Sequence, residues 1–392
     1  MSGPAPRRVL YVLERYPELS QTFVQGEMAA LAAMGWPVEA VALAAGTTPG
    51  ADPPVGRPLY AGDAGAGRRA AAALRLLRSS PRALGRFLAR ERAWPPGGGG
   101  RLRGAARIAP WAGRAAAADH LHAHFNGEAA DIARVLSGWT GTPFSVAVHA
   151  TDAFVDPERL RANLRAAAFA TASCEYVRRQ VVAVVPEAAS RVHTLTAGID
   201  PARFARRAPY SPGGPVVATG RLVEKKGFDD LVEAAGRLGR AFGDREVLVA
   251  GEGPARPALE RLIRSSGAPV RLLGALPPDE VRELLESAAA FALPCKVAAD
   301  GDRDSMPVAL KEAMALELPV VSTDALGIPE LIAPDRGRLV EPGDPEALAA
   351  GIEGLLALPE GERVALGRAG AEWVRERCDI ARETERLASW IA

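Results

Sequence analysis

Cysteine is scarce: the 392 residues hold three, Cys174, Cys295 and Cys378, far apart and at no metal-ligand spacing. That argues against a disulfide framework and for a reducing compartment. Long apolar runs are missing too. No uninterrupted stretch approaches the ~20 residues that cross a bilayer. The first apolar run, Val9 to Leu13, ends at Glu14, too short for a secretory signal core. The expectation is a cytoplasmic protein whose run 8–13 is a strand. Nor is there an excess of one charge: 48 Lys and Arg stand against 47 Asp and Glu, a net charge of +1. This removes any whole-chain case for nucleic acid or an acidic partner, so a basic feature has to be local.

What is present is alternation. Short apolar runs alternate with helical patterns almost throughout, the signature of parallel sheets wrapped by helices. Strands are expected at 8–13, 38–43, 119–123, 144–149, 168–172 and 192–196, then at 216–219, 246–250, 270–273, 290–293, 319–322 and 337–340. Two such series in a chain too long for one ordinary core make an α/β protein of two doubly wound, Rossmann-like domains with a cleft between them. The join is expected in AGIDPARFARRAPYSPGG, 197–214, which is rich in Pro and Gly and lacks a sustained apolar period.

The most informative segment is 300–332, DGDRDSMPVALKEAMALELPVVSTDALGIPELI. It sets Asp304 eight positions ahead of Glu312, across the start of a helix expected from Val308 to Leu316, with Ser305, Met306 and Pro307 as its cap and first turn. A helix N-terminus offers unpaired N–H groups and partial positive charge to a diphosphate, and carboxylates beside it can bond sugar hydroxyls. Upstream, GRLVEKKG at 220–227 leaves the end of a strand and leads into a helix near Phe228. Arg221 and Lys226 can therefore reach one pocket at the strand's C-terminal edge.

Together these motifs resemble the donor site of retaining, nucleotide-sugar-dependent glycosyltransferases of family 4, which have the GT-B fold; the resemblance covers nearly the whole chain. The family usually has Glu, seven residues, Glu; Asp304 is a departure that reaches about one methylene less far. The resemblance implies that Asp304 contacts the transferred hexose, Glu312 the ribose hydroxyls, and Arg221 and Lys226 the diphosphate of a UDP-sugar. It implies a first domain over 1–205 on the acceptor side, a second over 206–378 that binds the donor, and a helix at 379–392 crossing back to the first.

Other segments fill in the site. VLVAGEGP, 247–254, ends a strand with Gly251 and Gly253, which like Gly220 allow close backbone approach to a ligand, though a simple turn explains them as well. RLLGALPPDEV, 271–281, looks like the family's base-contacting loop, with the backbone of Gly274 to Leu276 meeting the base; helix capping by Asp279 explains its polar end equally. DGDRD, 300–304, contains Asp-x-Asp twice, but Arg221 and Lys226 already supply cationic charge, so no metal and no cofactor are expected. In the first domain FSVAVHATDAF, 144–154, ends a strand with His149 and Asp152, and the family places a histidine here against the donor hexose. HLHAHFNGE, 120–128, puts His120, His122 and His124 on one face of a strand. That pattern could suggest a metal, but no closing ligand is identifiable, so His124 is read as a cleft-wall residue. The family's glycine pair after the first strand is absent. ERYPELSQTFVQGEM, 14–28, stands in its place, as in a branch that includes exopolysaccharide enzymes. Ser20, Gln21 and Thr22 open the next helix as caps and face the acceptor side, where Glu14, Glu18 and Glu128 add negative charge.

Residues 68–114 carry twelve arginines against one acidic residue, Glu91. Leu74, Leu77, Leu84, Phe87 and Leu88 fall at roughly helical spacing, with WPPGGGG at 94–100 as a loop. Solvated helices with outward arginines and a peripheral membrane surface are both open readings. The expected activity is hexosyl transfer to a hydroxyl of a small acceptor such as an aminocyclitol. The alternatives are exopolysaccharide or lipid-linked saccharide assembly and, more remotely, a non-catalytic sugar-nucleotide-binding protein.

Overall fold

The computed structural model describes residues 5–18, 21–46, 54–79, 101–150, 152–240 and 242–392. It contains two compact units: Met1–Ser173 with Val177–Thr196 and Ile380–Ala392, and Cys174–Tyr176 with Ala197–Asp379.

The first unit holds a seven-stranded parallel sheet in the order β3-β2-β1-β4-β5-β6-β7. Its strands are β1 Val9–Tyr16, β2 Val38–Ala45, β3 Leu59–Tyr60, β4 His120–His124, β5 Phe144–Val148, β6 Phe169–Ala172 and β7 Val192–Thr194. Helices cover both faces, so the central strands are buried on both sides and read as continuous apolar runs, VLYVL in β1 and FSVAV in β5. Helix α1, Thr22–Ala33, turns Val24, Glu27, Met28 and Leu31 inward. The C-terminal helix Ile380–Ile391 adds Leu387, Ala388 and Ile391 to the same core as Tyr11, Val24 and Met28.

The second unit holds a six-stranded parallel sheet in the order β10-β9-β8-β11-β12-β13. These strands are β8 Val216–Thr219, β9 Val247–Ala250, β10 Val270–Gly274, β11 Ala290–Leu293, β12 Val320–Thr323 and β13 Arg338–Val340. In each sheet the strand order reverses once, between β1 and β4 and between β8 and β11. Open α/β sheets bind ligands outside the strand C-termini at that point, because the two flanking loops diverge there and leave a crevice.

All twelve expected segments are strands. Among the described residues the one strand not anticipated is β3, two residues paired to β2 at the sheet edge, too short to carry a pattern.

The capping expectations need correction. The Glu312 helix runs Val308–Ala315 and opens from Pro307, whose fixed φ suits a helix start. Helix α1 begins after Gln21 without a side-chain cap, and Ser20 lies outside the described residues. Asp279 sits in the first turn of Pro278–Glu286 and does not cap it. In the 68–114 region the helices Ala66–Ser79 and Arg101–Ile108 are described. Leu84, Phe87, Leu88 and the 94–100 loop lie outside the described residues, as does the side chain of Leu77. Leu74 is 49% exposed, so it does not belong to a buried face. Among the described residues no helix is long and apolar enough to cross a membrane.

Candidate functional site

In the second unit the site grows from two loops at the C-terminal ends of β8 and β11. The first, GRLVEKKG, leaves β8 and forms a single tight turn over Glu224–Lys226. It closes at Gly227, whose φ of 66° opens the helix Phe228–Ala235. A Cβ at Gly227 would meet the Pro294 carbonyl oxygen at 1.9 Å, so glycine is required where the loops touch. The second loop follows β11 and is laced to the first: Lys296 N–H donates to the Lys225 carbonyl (2.9 Å) and Ala299 N–H to Glu224 Oε1 (3.1 Å).

This lacing brings charged groups together. Lys226 Nζ lies 2.6 Å from Asp304 Oδ2, while Lys225 Nζ lies 3.2 Å from Asp304 Oδ1 and 3.0 Å from Asp302 Oδ1. Burial opposes ionisation of Asp304, but the Lys226 and Lys225 ammonium groups prevail and hold its carboxyl below the usual range. The same pair works in reverse on Lys226, whose burial is outweighed by Asp304 so that its pKa is raised. Arg221 stands exposed at the mouth of the loop. The sequence contains four lysines, at 225, 226, 296 and 311, among 48 cationic residues. All four belong to the second unit, and Lys296 ties Asp229 (2.7 Å) and Asp230 (3.1 Å) to the second loop. A compact, rotatable ammonium is thus confined to this region in a chain that otherwise uses arginine.

Glu312 lies on the helix Val308–Ala315; burial pushes its carboxyl up to about 7 against the pull of Arg203, Lys311 and Lys226. Ser305, Met306 and Pro307 are buried between Asp304 and this helix, with Val308 partly exposed. The glycines divide. A Cβ at Gly251 would meet the Gly220 carbonyl oxygen at 1.8 Å, and one at Gly253 the Leu222 carbonyl oxygen at 2.4 Å. These two are therefore needed for packing of the β9 turn against the cationic loop. Gly220 and Gly274 both have positive φ, and Gly274 and Leu276 stay partly open to solvent after β10.

In the first unit the expected residues fall into two clusters at the ends of β1, β4 and β5. Glu14 Oε1 accepts from the Glu128 N–H (2.6 Å), so Glu14 caps the helix Glu128–Thr140. Glu128 is paired at 3.8 Å with Arg107, and its pKa is raised by burial. Glu18 accepts through its carbonyl from Gln21 N–H (3.0 Å) and Gln25 Nε2 (3.3 Å), which fixes the entry to α1 and places Thr22 in its first turn. The Glu14 carboxylate and the Glu18 carbonyl thus serve helix starts, and the Glu128 carboxylate is paired with Arg107.

The second cluster is buried and aromatic. His124 Nδ1 lies 3.4 Å from His149 Nε2, and His124 Nε2 lies 3.0 Å from Oε1 of Glu27. Tyr11 donates its hydroxyl to the same oxygen at 2.7 Å, and His122 Nε2 is 3.5 Å from it. Burial opposes the charge on Glu27, but His124 and His122 bring its carboxyl down to about 2. His122 is lowered to about 3 and His120 to about 4, both chiefly by burial. The rings of Phe23 and Phe125 flank His149 at 5.2 and 4.4 Å. Phe125 has φ of 69°, a costly backbone conformation for a bulky residue, which places its ring there. Asp152 Oδ2 accepts from the His149 N–H (2.8 Å), and burial pushes its carboxyl up to about 6. Asp152 thus shapes the His149 turn. Glu27, His122 and His124 present donor atoms within 4.8 Å of one another, the one such cluster among the described residues. Glu27 is the closing group that the sequence did not disclose.

Residues 214–357 match the family described as Glycosyl transferases group 1. The matched residues lie within the second unit. Over 180 residues the chain is 39% identical to the amylovoran biosynthesis glycosyltransferase AmsK of Erwinia amylovora, covering 44% of this chain and 43% of that protein. Over 197 residues it is 31% identical to a GDP-mannose-dependent monoacylated alpha-(1-6)-phosphatidylinositol monomannoside mannosyltransferase of Corynebacterium glutamicum, covering 46% and 51%. The chain thus spans about half the length of these curated relatives, or less. Among solved structures, Anabaena HepE in complex with UDP and glucose aligns over 98% of both chains with a TM-score of 0.73 at 15% identity. The fold is GT-B. In GT-B terms, the Lys225, Lys226 and Asp304 cluster lies in the domain that matches the family.

Proposed function

We propose that this GT-B chain transfers a sugar, with retention of configuration, from a nucleoside-diphosphate sugar to a hydroxyl of a saccharide acceptor in exopolysaccharide or lipid-linked saccharide assembly. The observation that carries the reading is the ion-paired cluster of Lys225, Lys226 and Asp304 at the switch point of the second sheet. A diphosphate entering there would exchange Asp304 for phosphate oxygens as the partner of both ammonium groups, with exposed Arg221 as a third cation. The helix N-terminus at Val308 adds N–H groups of the same polarity. Asp304, released from the lysines, is then free to accept from hexose hydroxyls, and Glu312 from the ribose. Negative charge grows on the leaving diphosphate in the transition state, so fixed cations beside it accelerate departure. His149 of the first unit is the sugar-facing residue of this reading. Retention needs either double displacement or front-side attack. Front-side attack, with the departing diphosphate helping to accept the acceptor's proton, is the route of this reading.

The relatives' names support saccharide assembly over the aminocyclitol acceptor first expected, since AmsK is an amylovoran enzyme and the second relative acts on a phosphatidylinositol mannoside. They leave two donor classes: HepE was solved with UDP and glucose, and the mannosyltransferase depends on GDP-mannose. The experiment is nucleotide release by the purified chain from a panel of UDP- and GDP-sugars, with lipid-linked saccharides and an aminocyclitol as acceptors, with and without EDTA. Acceptor-dependent UDP or GDP release with a saccharide, undiminished by chelator, is expected. Release with the aminocyclitol alone would return the acceptor reading to a small molecule. Rescue of a chelated enzyme by magnesium would replace the cation-only account with a metal bound near Asp302.

A further inference from the structure

Glu27 plays no part in the reading above, yet it anchors the buried histidine cluster. We propose that Glu27 is a positioning residue that acts through His124 to fix which ring nitrogen of His149 carries the proton.

The argument is one of hydrogen-bond polarity. An ionised carboxylate only accepts, so every group that bonds to Glu27 Oε1 must turn a hydrogen toward it. Tyr11 does so from its hydroxyl at 2.7 Å, and His124 has to do so from Nε2 at 3.0 Å. A neutral imidazole with its proton on Nε2 has a lone pair on Nδ1. With both rings neutral, that lone pair faces His149 Nε2 at 3.4 Å, so His149 donates from Nε2 and its own lone pair is on Nδ1. The neighbouring imidazoles share one hydroxyl: His120 Nε2 and His122 Nδ1 each lie 2.7 Å from Ser145 Oγ, and His122 Nε2, 3.5 Å from Glu27 Oε1, makes no hydrogen bond to it. The links from Tyr11 and His124 both point toward one carboxylate.

The surroundings keep that order fixed. Glu27, His122 and His124 are buried, Tyr11 lies at 6.0 Å from the His124 ring and nearly parallel to it, and Phe23 touches both His124 (5.8 Å) and His149 (5.2 Å). With little water to compete, reversing the chain would leave Glu27 facing a lone pair, at the cost of an unpaired buried charge. Glu27 sits on the buried face of α1 between Val24 and Met28, so its place is set by core packing. A histidine that presents a defined lone pair or proton to a sugar hydroxyl depends on its tautomer, as in catalytic groups held by a carboxylate one residue removed.

The role in turnover rests on the glycosyltransferase reading; the tautomer does not, so the two are tested separately. Long-range imidazole ¹⁵N–¹H spectra of the full chain at pH 8, with His149→Gln to assign its signals, are expected to show His149 protonated on Nε2. In Glu27→Gln the amide can turn its NH₂ toward His124, and the His149 pattern should shift to the Nδ1–H form or a mixture. His124→Phe, which keeps the stacking and removes both bonds, should release it in the same way if the first variant folds poorly. With a working donor and acceptor, Glu27→Gln should lower kcat at least about tenfold while the donor KM moves less than about threefold. A His149 tautomer that is Nδ1–H in the wild type, or unchanged in both variants, overturns the proposal. So does about one equivalent of zinc per chain that disappears in His122→Ala, because the cluster would then be a metal site. If no donor and acceptor pair is turned over, the glycosyltransferase reading fails while the spectra still decide the role of Glu27.

Discussion

At the residue scale, Lys226 is the side chain whose loss should be felt most. Its ammonium lies 2.6 Å from Asp304, while Lys225 is shared with Asp302. Lys226→Ala should reduce kcat/KM by at least about 100-fold, the usual cost of one preorganised charge stabiliser; steady-state kinetics at near-normal levels would remove it from the mechanism. Glu312 makes a pH-dependent prediction. Its folded pKa of about 7 lies above the ordinary 4.5, so between those values the folded chain binds more protons than the unfolded one. Stability from this group is fully present below about pH 4.5 and is lost as pH rises through about 7. Glu312→Gln should therefore raise stability at pH 8 by roughly 1–2 kcal/mol, discounted for its partial exposure, and change little at pH 4.5. Thermal melts of both proteins at both pH values check this; equal effects at the two would place the carboxyl at its usual pKa. The two site lysines show what a sequence can and cannot disclose. Both stand in GRLVEKKG, but only the lacing of two loops seventy-odd positions apart reveals that Lys225 also reaches Asp302 and Asp304.

At the element scale, strands were legible because burial on both faces writes itself as unbroken apolar runs, and helices were legible by period. Helix caps were not. An acidic residue near a helix start looks the same in sequence whether it caps the helix or sits in its first turn, as Asp279 does. The turns after β8 and β9 yield a sharper test of what glycine does here. A methyl at Gly251 would collide with the Gly220 carbonyl at 1.8 Å, and φ there is +150°, so loop and turn would have to separate. Gly138, within the helix Glu128–Thr140, has nothing within 4 Å of an added Cβ. Gly251→Ala should cost about 2 kcal/mol or more and weaken donor binding, since the cationic loop packs on that turn. Gly138→Ala should stabilise by about 0.5–1 kcal/mol through helix propensity. Denaturant melts of the pair settle both; a neutral Gly251→Ala would show that the turn bears no load from the loop.

At the scale of the whole molecule, the two parallel sheets were readable from alternation alone, but the histidine cluster was not. Glu27 and His124 are 97 residues apart and meet only because β1 and β4 are neighbours in the sheet, a pairing no local pattern encodes. The basic region presents the opposite case, a strong compositional signal whose use depends on the surroundings of the folded chain. A net charge of +1 gives no global attraction to an anionic surface, so any attraction must come from this region. Arg68, Arg75 and Arg78 on the helix Ala66–Ser79 and Arg103 on Arg101–Ile108 are exposed, with Leu74 beside them at 49% exposure. A cluster of this kind gains about 1 kcal/mol per basic residue at an anionic membrane and loses it within a Debye length. If the proposed acceptor is carried on a lipid, the chain would profit from that attraction. The chain should then sediment with vesicles containing anionic lipid at low salt, less so at physiological ionic strength, and not with neutral vesicles. Replacing Arg68, Arg75 and Arg78 by Glu should abolish sedimentation and leave nucleotide release with a water-soluble saccharide acceptor unchanged. Binding that ignores both salt and these arginines would point to apolar insertion instead, for which the described helices offer Leu74 and no aromatic face.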